Sequence, residues 1–194
     1  MICIMRPKDE EKFDNIARAT YALVERSGLS GLTMAEIAKA AGIATGTLYL
    51  YYPSKEELIN SLYEQAKTAT SQRLREGIDP AAPYRSRFRQ MWVNLVKNRV
   101  EHFQEVLLQE QYYNSPWFSE ESRVLSSRLM AHWLAFLQEG KAQEVLKNVE
   151  TSLLGAAIIG SAKEVANLIR NKTVVFDDAT INTAFSLCWD GVKA

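Results

Sequence analysis

A chain of 194 residues with 47% apolar and 24% charged side chains can close a real hydrophobic core, and its composition excludes a disordered or fibrous protein. Its 23 basic and 23 acidic residues cancel to a formal net charge of +0, so any contact with nucleic acid must come from local placement and not from bulk positive charge. No apolar run approaches the roughly 20 residues that span a bilayer. The start, Met-Ile-Cys-Ile-Met, is too short for a secretion signal, so a cytoplasmic protein without a membrane partner is expected.

Helical spacing dominates from end to end. Phe13, Ile16, Ala17, Thr20, Leu23 and Val24 recur at intervals of three and four, predicting a first helix over about 9–27 with Gly28 as its C-terminal cap. Thr33 to Glu36 is a capping box that opens a second helix, with Met34, Ile37, Ala38 and Ala41 on one face and Gly42 at its end. A third helix is expected over 45–51, stopped by Pro53. Ser54 to Glu57 is another capping box, starting a fourth helix that runs towards Arg75. Gly77, Pro80 and Pro83 make the clearest break.

Beyond that break, Phe88, Met91, Trp92, Leu95 and Arg99 share one helical face, and Phe103, Val106, Leu107 and Glu110 continue it or begin the next helix. Asn114-Ser115-Pro116 interrupts the pattern. A helix then opens at Ser119 or Glu120 and closes at Gly140, a long apolar one covers about 145–170, and Asp177 or Asp178 opens the last. Residues 173–176 read as a linker. The expected fold is all-α with about nine helices, divided into a helix-turn-helix domain (1–53), a connecting helix (54–76) and a larger helical domain (77–194).

The cysteines, Cys3 and Cys188, stand far apart with no CxxC, so neither a zinc site nor a redox pair is expected, and Cys188 reads as a small buried hydrophobe. No glycine-rich phosphate loop, metal constellation or nucleophile with an evident base appears, and no cofactor or catalytic residue is expected.

The stretch that carries function is TMAEIAKAAGIATGTLYLYYPSKEEL, residues 33–58. Helix, glycine turn and short second helix form a helix-turn-helix pattern in which Ile37, Ala38 and Leu48 pack together around the Gly42 turn. Thr45, Gly46 and Thr47 are small and partly hydroxylated, as suits a helix that must approach a DNA groove without bulk. Tyr49, Tyr51 and Tyr52 cluster within four residues. Tyr52 reads as core, and at least one of the other two must face outward with its hydroxyl available to phosphate. Lys55, in the first turn of the next helix, has two readings: a phosphate contact or an ordinary solvated lysine.

This stretch resembles the DNA-binding signature of the tetracycline-repressor (TetR) family of bacterial transcriptional regulators. The resemblance extends back through the first helix and fits the length and the all-helical remainder. It implies phosphate contacts by Thr33, Tyr49, Tyr51 and Lys55, and base-edge contacts by Thr45, Gly46 and Thr47. Ala44 stands in the same DNA-facing stretch where a serine is common, leaving Thr45 to supply the missing cap. The third helix also lacks Arg, Asn and Gln, so base reading would rest on thymine methyls, hydroxyls and DNA shape. Within residues 1–76, ten basic and ten acidic side chains balance, which predicts a salt slope well short of roughly −10.

The resemblance implies two tasks for the second half, dimerisation and binding of a small inducer. Residues 153–162 read LLGAAIIGSA, apolar on nearly all sides, so this helix is buried either within a monomer or against a partner. Leu153, Gly155, Ala156, Ile159 and Gly160, with Ile181, Ala184, Phe185 and Cys188 of the last helix, are the candidate dimer interface. Met91, Trp92, Leu95, His102, Phe103, Tyr112, Tyr113, Trp117, His132, Trp133 and Phe136 are the candidate lining of an aromatic ligand cavity. The expected partners are thus a second copy of the chain, a palindromic double-stranded operator and a small hydrophobic or aromatic inducer that releases a repressor. A helical small-molecule carrier without DNA binding is the rival reading.

Overall fold

Thr33, Ser54, Gly28 and Gly42 punctuate the backbone where the sequence places them. The computed structural model describes residues 7–194, with side chains from Glu11 onward; the readings on Cys3, on the chain's start and on the side chains of Arg6, Lys8, Asp9 and Glu10 lie outside that part. The described helices are α1 (Pro7–Ser27), α2 (Met34–Ala40), α3 (Thr45–Tyr51), α4 (Lys55–Arg73), α5 (Tyr84–Glu101), α6 (Phe103–Tyr113), α7 (Glu120–Ala142), α8 (Thr151–Arg170) and α9 (Asp178–Val192). Among the described residues the only β pairing is an isolated antiparallel bridge between Leu146 and Lys193.

Gly28 and Gly42 end α1 and α2 with φ of 74° and 71°, left-handed geometry that a side chain would oppose. Thr33 and Glu36 close a reciprocal capping box on α2. The Ser54 hydroxyl accepts from Glu57 N–H at 3.1 Å to start α4, and the Asp177 carboxylate accepts from Thr180 N–H at 2.8 Å to start α9.

Two compact units result, and they do not follow chain order. The first comprises the described residues up to Lys67 together with Gln104–Val124; the second comprises Thr68–Phe103 and Leu125–Ala194. In the first, Ile16, Leu23 and Val24 of α1 pack with Ile37, Ala38, Leu48, Leu58 and Leu62, and α6 adds Leu108 and Tyr112 to the same core. In the second, Phe88, Trp92 and Val96 of α5 pack against Leu154, Ile158, Ala162 and Ala166 of α8 and Ile181, Phe185, Cys188 and Trp189 of α9.

Three expectations about elements need correction. Gly140 does not end a helix: it lies inside α7, where a Cβ would collide with the Tyr84 ring and approach Leu146 Cγ to 2.8 Å. The apolar helix begins at Thr151 and not at Val145, because Leu146 is buried in the second core and pairs with Lys193 instead. Finally, α8 is long and apolar enough to cross a membrane by length and composition, since its small residues extend the apolar run. Most of it is not buried in its own protomer: Leu153 is 63% exposed, Leu168 is 42% exposed, and Ala156 and Ala157 are exposed between them.

Candidate DNA-reading surface

In a seven-residue helix one anchor fixes which side faces out. Leu48 is fully buried in the first core and anchors α3. Successive residues turn by about 100°, so Gly46 and Leu50, two residues to either side, fall on the opposite face. Both are exposed, as are Ala44, Thr45 and Tyr49, while Thr47 is half-buried. The entry to α3 is tight. Gly42 N–H donates to Lys39 O at 3.2 Å, and Ile43 N–H donates to Ala38 O at 3.0 Å, so α2 turns directly into α3.

The cap expected of Thr45 is absent. Ala44 occupies the N-cap in extended geometry with no side-chain hydrogen bond, and Thr45 has moved one place into the helix. At Thr33 the hydroxyl donates to Glu36 Oε2 at 2.8 Å and accepts from Glu36 N–H at 3.2 Å. A contact from Thr33 to phosphate would therefore have to compete with the Glu36 carboxylate.

The tyrosines separate cleanly. Tyr49 is 48% exposed. Tyr51 is half-buried edge-on to Phe13, with ring centroids 5.0 Å apart, and its hydroxyl accepts from Lys12 Nζ at 3.4 Å. Tyr52 is core, its hydroxyl held above the ordinary range by burial. Lys55 is engaged within the first unit in the DNA-free protein. Its Nζ donates to Leu32 O at 3.1 Å and lies 4.9 Å from the Trp117 ring centroid.

Gly46 is the most informative residue of the surface. A Cβ built there would meet nothing within 4 Å, and its φ is not left-handed. Neither packing nor backbone geometry inside the protomer requires a glycine, although glycine costs a helix about 1 kcal/mol relative to alanine. Leu50, which the sequence reading passed over, is 85% exposed, the highest among the exposed large hydrophobics of the described residues. Its signal in the sequence is its distance of two positions from the buried Leu48.

The candidate ligand-lining residues divide between the two units. Tyr112, Tyr113 and Trp117 belong to the first unit. Tyr112 is buried there, donating to Asn60 Oδ1 and accepting from Ser119 N–H at 3.1 Å. Tyr113 is 58% exposed, and Trp117 lies under Lys55. In the second unit Trp92 is fully buried, with Nε1 donating to Ser161 Oγ at 3.0 Å, and Met91 is also buried. Leu95, Trp133 and Phe136 are partly buried against the same core. Phe103 is half-buried beneath the Arg170 guanidinium, 3.0 Å from its ring centroid, and His132 is exposed. His102 opens on a polar cleft of ≈130 Å³ with Arg73, Asn94, Lys97 and Asn98, not on an aromatic one.

The candidate interface residues divide as well. Ile181, Phe185 and Cys188 are buried in the core of the second unit, and burial pushes the Cys188 thiol up. Gly155 is buried, with Trp133 Nε1 3.7 Å from where its Cβ would be. Ile159, Gly160 and Ala184 are half-buried, and Leu153 and Ala156 are exposed. The exposed large hydrophobic of α9 is Leu187, at 73%.

Comparison with known proteins decides the family. Residues 83–193 match the tetracyclin repressor-like C-terminal domain, and residues 16–62 match the tetR family of bacterial regulatory proteins. The chain belongs to the TetR family. An HTH-type transcriptional regulator of Haemophilus influenzae is 27% identical to it over 174 residues, spanning 89% of this chain and 90% of that protein. A second HTH-type transcriptional regulator, from Bacillus subtilis, is 29% identical over 156 residues, 77% of this chain and 78% of that one. The crystal structure of a TetR family transcription regulator from Marinobacter aquaeolei superimposes with a TM-score of 0.88 at 25% identity, covering 97% of this chain and 99% of that one. TetR regulators bind DNA through the N-terminal helix-turn-helix, and this chain is a DNA-binding transcriptional regulator of that kind.

Proposed function

We propose that this TetR protein is a cytoplasmic homodimeric repressor that reads a palindromic operator with α3 and is released from it by a small apolar or aromatic inducer. The observation that carries the DNA-reading part is Gly46, a helical glycine on the outer face of α3 with open space where a Cβ would be. A residue that lowers helix stability and answers no internal need suits a helix that something large approaches from outside. Thr45, Gly46, Thr47 and Tyr49 are the proposed contacts. Lys55 and Tyr51 are proposed to act through the positions they hold, since both are engaged within the first unit.

The proposed interface is the apolar stripe of α8, with Leu153, Ala156, Ala157 and Leu168 exposed and Gly160 half-buried, continued by Leu187 of α9. Gly160 has nothing within 4 Å of its Cβ position, which leaves room for a partner backbone. Reading a palindromic operator calls for a two-fold dimer, because two copies of α3 must meet half-sites about one DNA turn apart. The inducer is proposed to lie in the second unit near Leu95, Trp133 and Phe136, where aromatic rings retain partial exposure, and to act by favouring a conformation with lower operator affinity.

A gel-shift titration with the DNA flanking the protein's own gene tests this. A specific shift is expected, abolished by Thr47→Ala combined with Tyr49→Phe. An unchanged shift with that double variant would remove α3 from the interface, and no specific shift on any genomic fragment would favour the carrier reading.

A further inference from the structure

We propose that Leu50 reads sequence directly, by packing on a thymine methyl group in each half-site. The inference rests on α3 being the DNA-reading helix and adds what that helix recognises. Leu50 is 85% exposed although leucine is among the residues most often buried. Its place follows from the anchor: it sits two residues beyond the fully buried Leu48, about 200° around the helix. Gly46, one turn earlier on the same side, carries no side chain to stand between Leu50 and an approaching surface, and nothing of the protomer lies within 4 Å of its Cβ position.

The chemistry narrows the target. The helix reads TGTLYLY and contains no Arg, Lys, Asn, Gln, Asp or Glu, so it has none of the side chains that pair bidentately with base edges. Leu50 itself can neither donate nor accept a hydrogen bond. In the major groove, every feature that distinguishes one base pair from another is a donor or an acceptor, except the C5-methyl of thymine. An isobutyl side chain presented on this face has that one partner available.

The test begins by selecting binding sites from a randomised duplex pool with the full-length protein and with Leu50→Ala. Each thymine of the selected operator is then replaced by deoxyuridine, which lacks only the methyl. The wild type is expected to lose affinity roughly fourfold at one thymine per half-site, as for one methyl group left in water. Leu50→Ala is expected to be indifferent to that same replacement. If both proteins lose equally at every thymine, or if no thymine matters to the wild type, the proposal is overturned while DNA reading by α3 stands. Absence of any selected sequence overturns both. Should Leu50→Ala bind too weakly to titrate, Leu50→Gln serves instead: selection should then move from thymine towards adenine at that position, and a retained thymine would sink the idea.

Discussion

Lys55 Nζ donates to the carbonyl oxygen of Leu32 at 3.1 Å, tying the first turn of α4 to the residue before the α2 cap. Leu32 is itself buried, at 3% exposure. The lysine thus fixes where the helix-turn-helix begins, and it does so without DNA. A charged donor on a half-buried carbonyl contributes about 1.5 kcal/mol or more. Lys55→Ala should lower the melting temperature of the free protein by several degrees and weaken operator binding together. A lysine acting only on phosphate would leave the DNA-free melting curve unmoved, so thermal unfolding without DNA separates the two.

Gly46→Ala should separate stability from binding in the opposite sense. The added methyl enters open space and restores up to about 1 kcal/mol of helix propensity. The variant should melt slightly higher than the wild type and bind operator at least tenfold more weakly. Equal affinity would mean that nothing approaches α3 at this point.

For the interface, Ala157→Arg places a charge on the exposed stripe of α8 without touching the protomer core. Size-exclusion chromatography with light scattering should show a folded monomer with a native far-UV spectrum and little operator affinity. Ile181→Arg, which buries its charge in the protomer, should instead abolish folding. A folded dimer for Ala157→Arg would place the interface elsewhere.

Acid should act through Glu139. Its carboxylate accepts from Arg87 Nη1 at 3.1 Å and from Nη2, and these hydrogen bonds hold it below its ordinary value of 4.5. A carboxylate depressed in the folded state stabilises fully above its unfolded pKa and loses that contribution as pH falls through the folded one. Unfolding midpoints should therefore drop as pH falls below about 4.5, and Glu139→Gln should flatten that limb while lowering the plateau at neutral pH. An acid limb of undiminished slope in Glu139→Gln would assign it to other carboxylates. Tyr84, raised by burial and then by Glu139, stays protonated throughout this window.

Local chemistry was readable from the chain, and distant packing was not. Thr33, Gly42, Pro53 and Ser54 act on neighbours within four residues, and the bounds of α2 and α3 and the start of α4 follow from them. Leu146 looked like the continuation of an apolar helix, because nothing local reveals that it pairs with Lys193. Ile181, Phe185 and Cys188 have the spacing of an apolar face, but spacing cannot say whether that face meets its own core or a partner's. Leu50 escaped notice because an apolar residue within an apolar pattern is assigned inward by default. Its outward direction becomes plain only once Leu48 is known to be the anchor. Nor does the sequence show that Lys55 lies over the Trp117 ring, since the two are far apart along the chain.

The core of the first unit is completed by Leu108 and Tyr112, which the chain reaches only after building α4, leaving for the second unit and returning. During synthesis the helix-turn-helix must therefore wait, its apolar side incompletely covered, until the ribosome has released residues beyond 112. A fragment ending after α4 would lack that cover altogether. The core beneath the helix-turn-helix is thus built from two stretches of chain separated by a whole helix of the other unit.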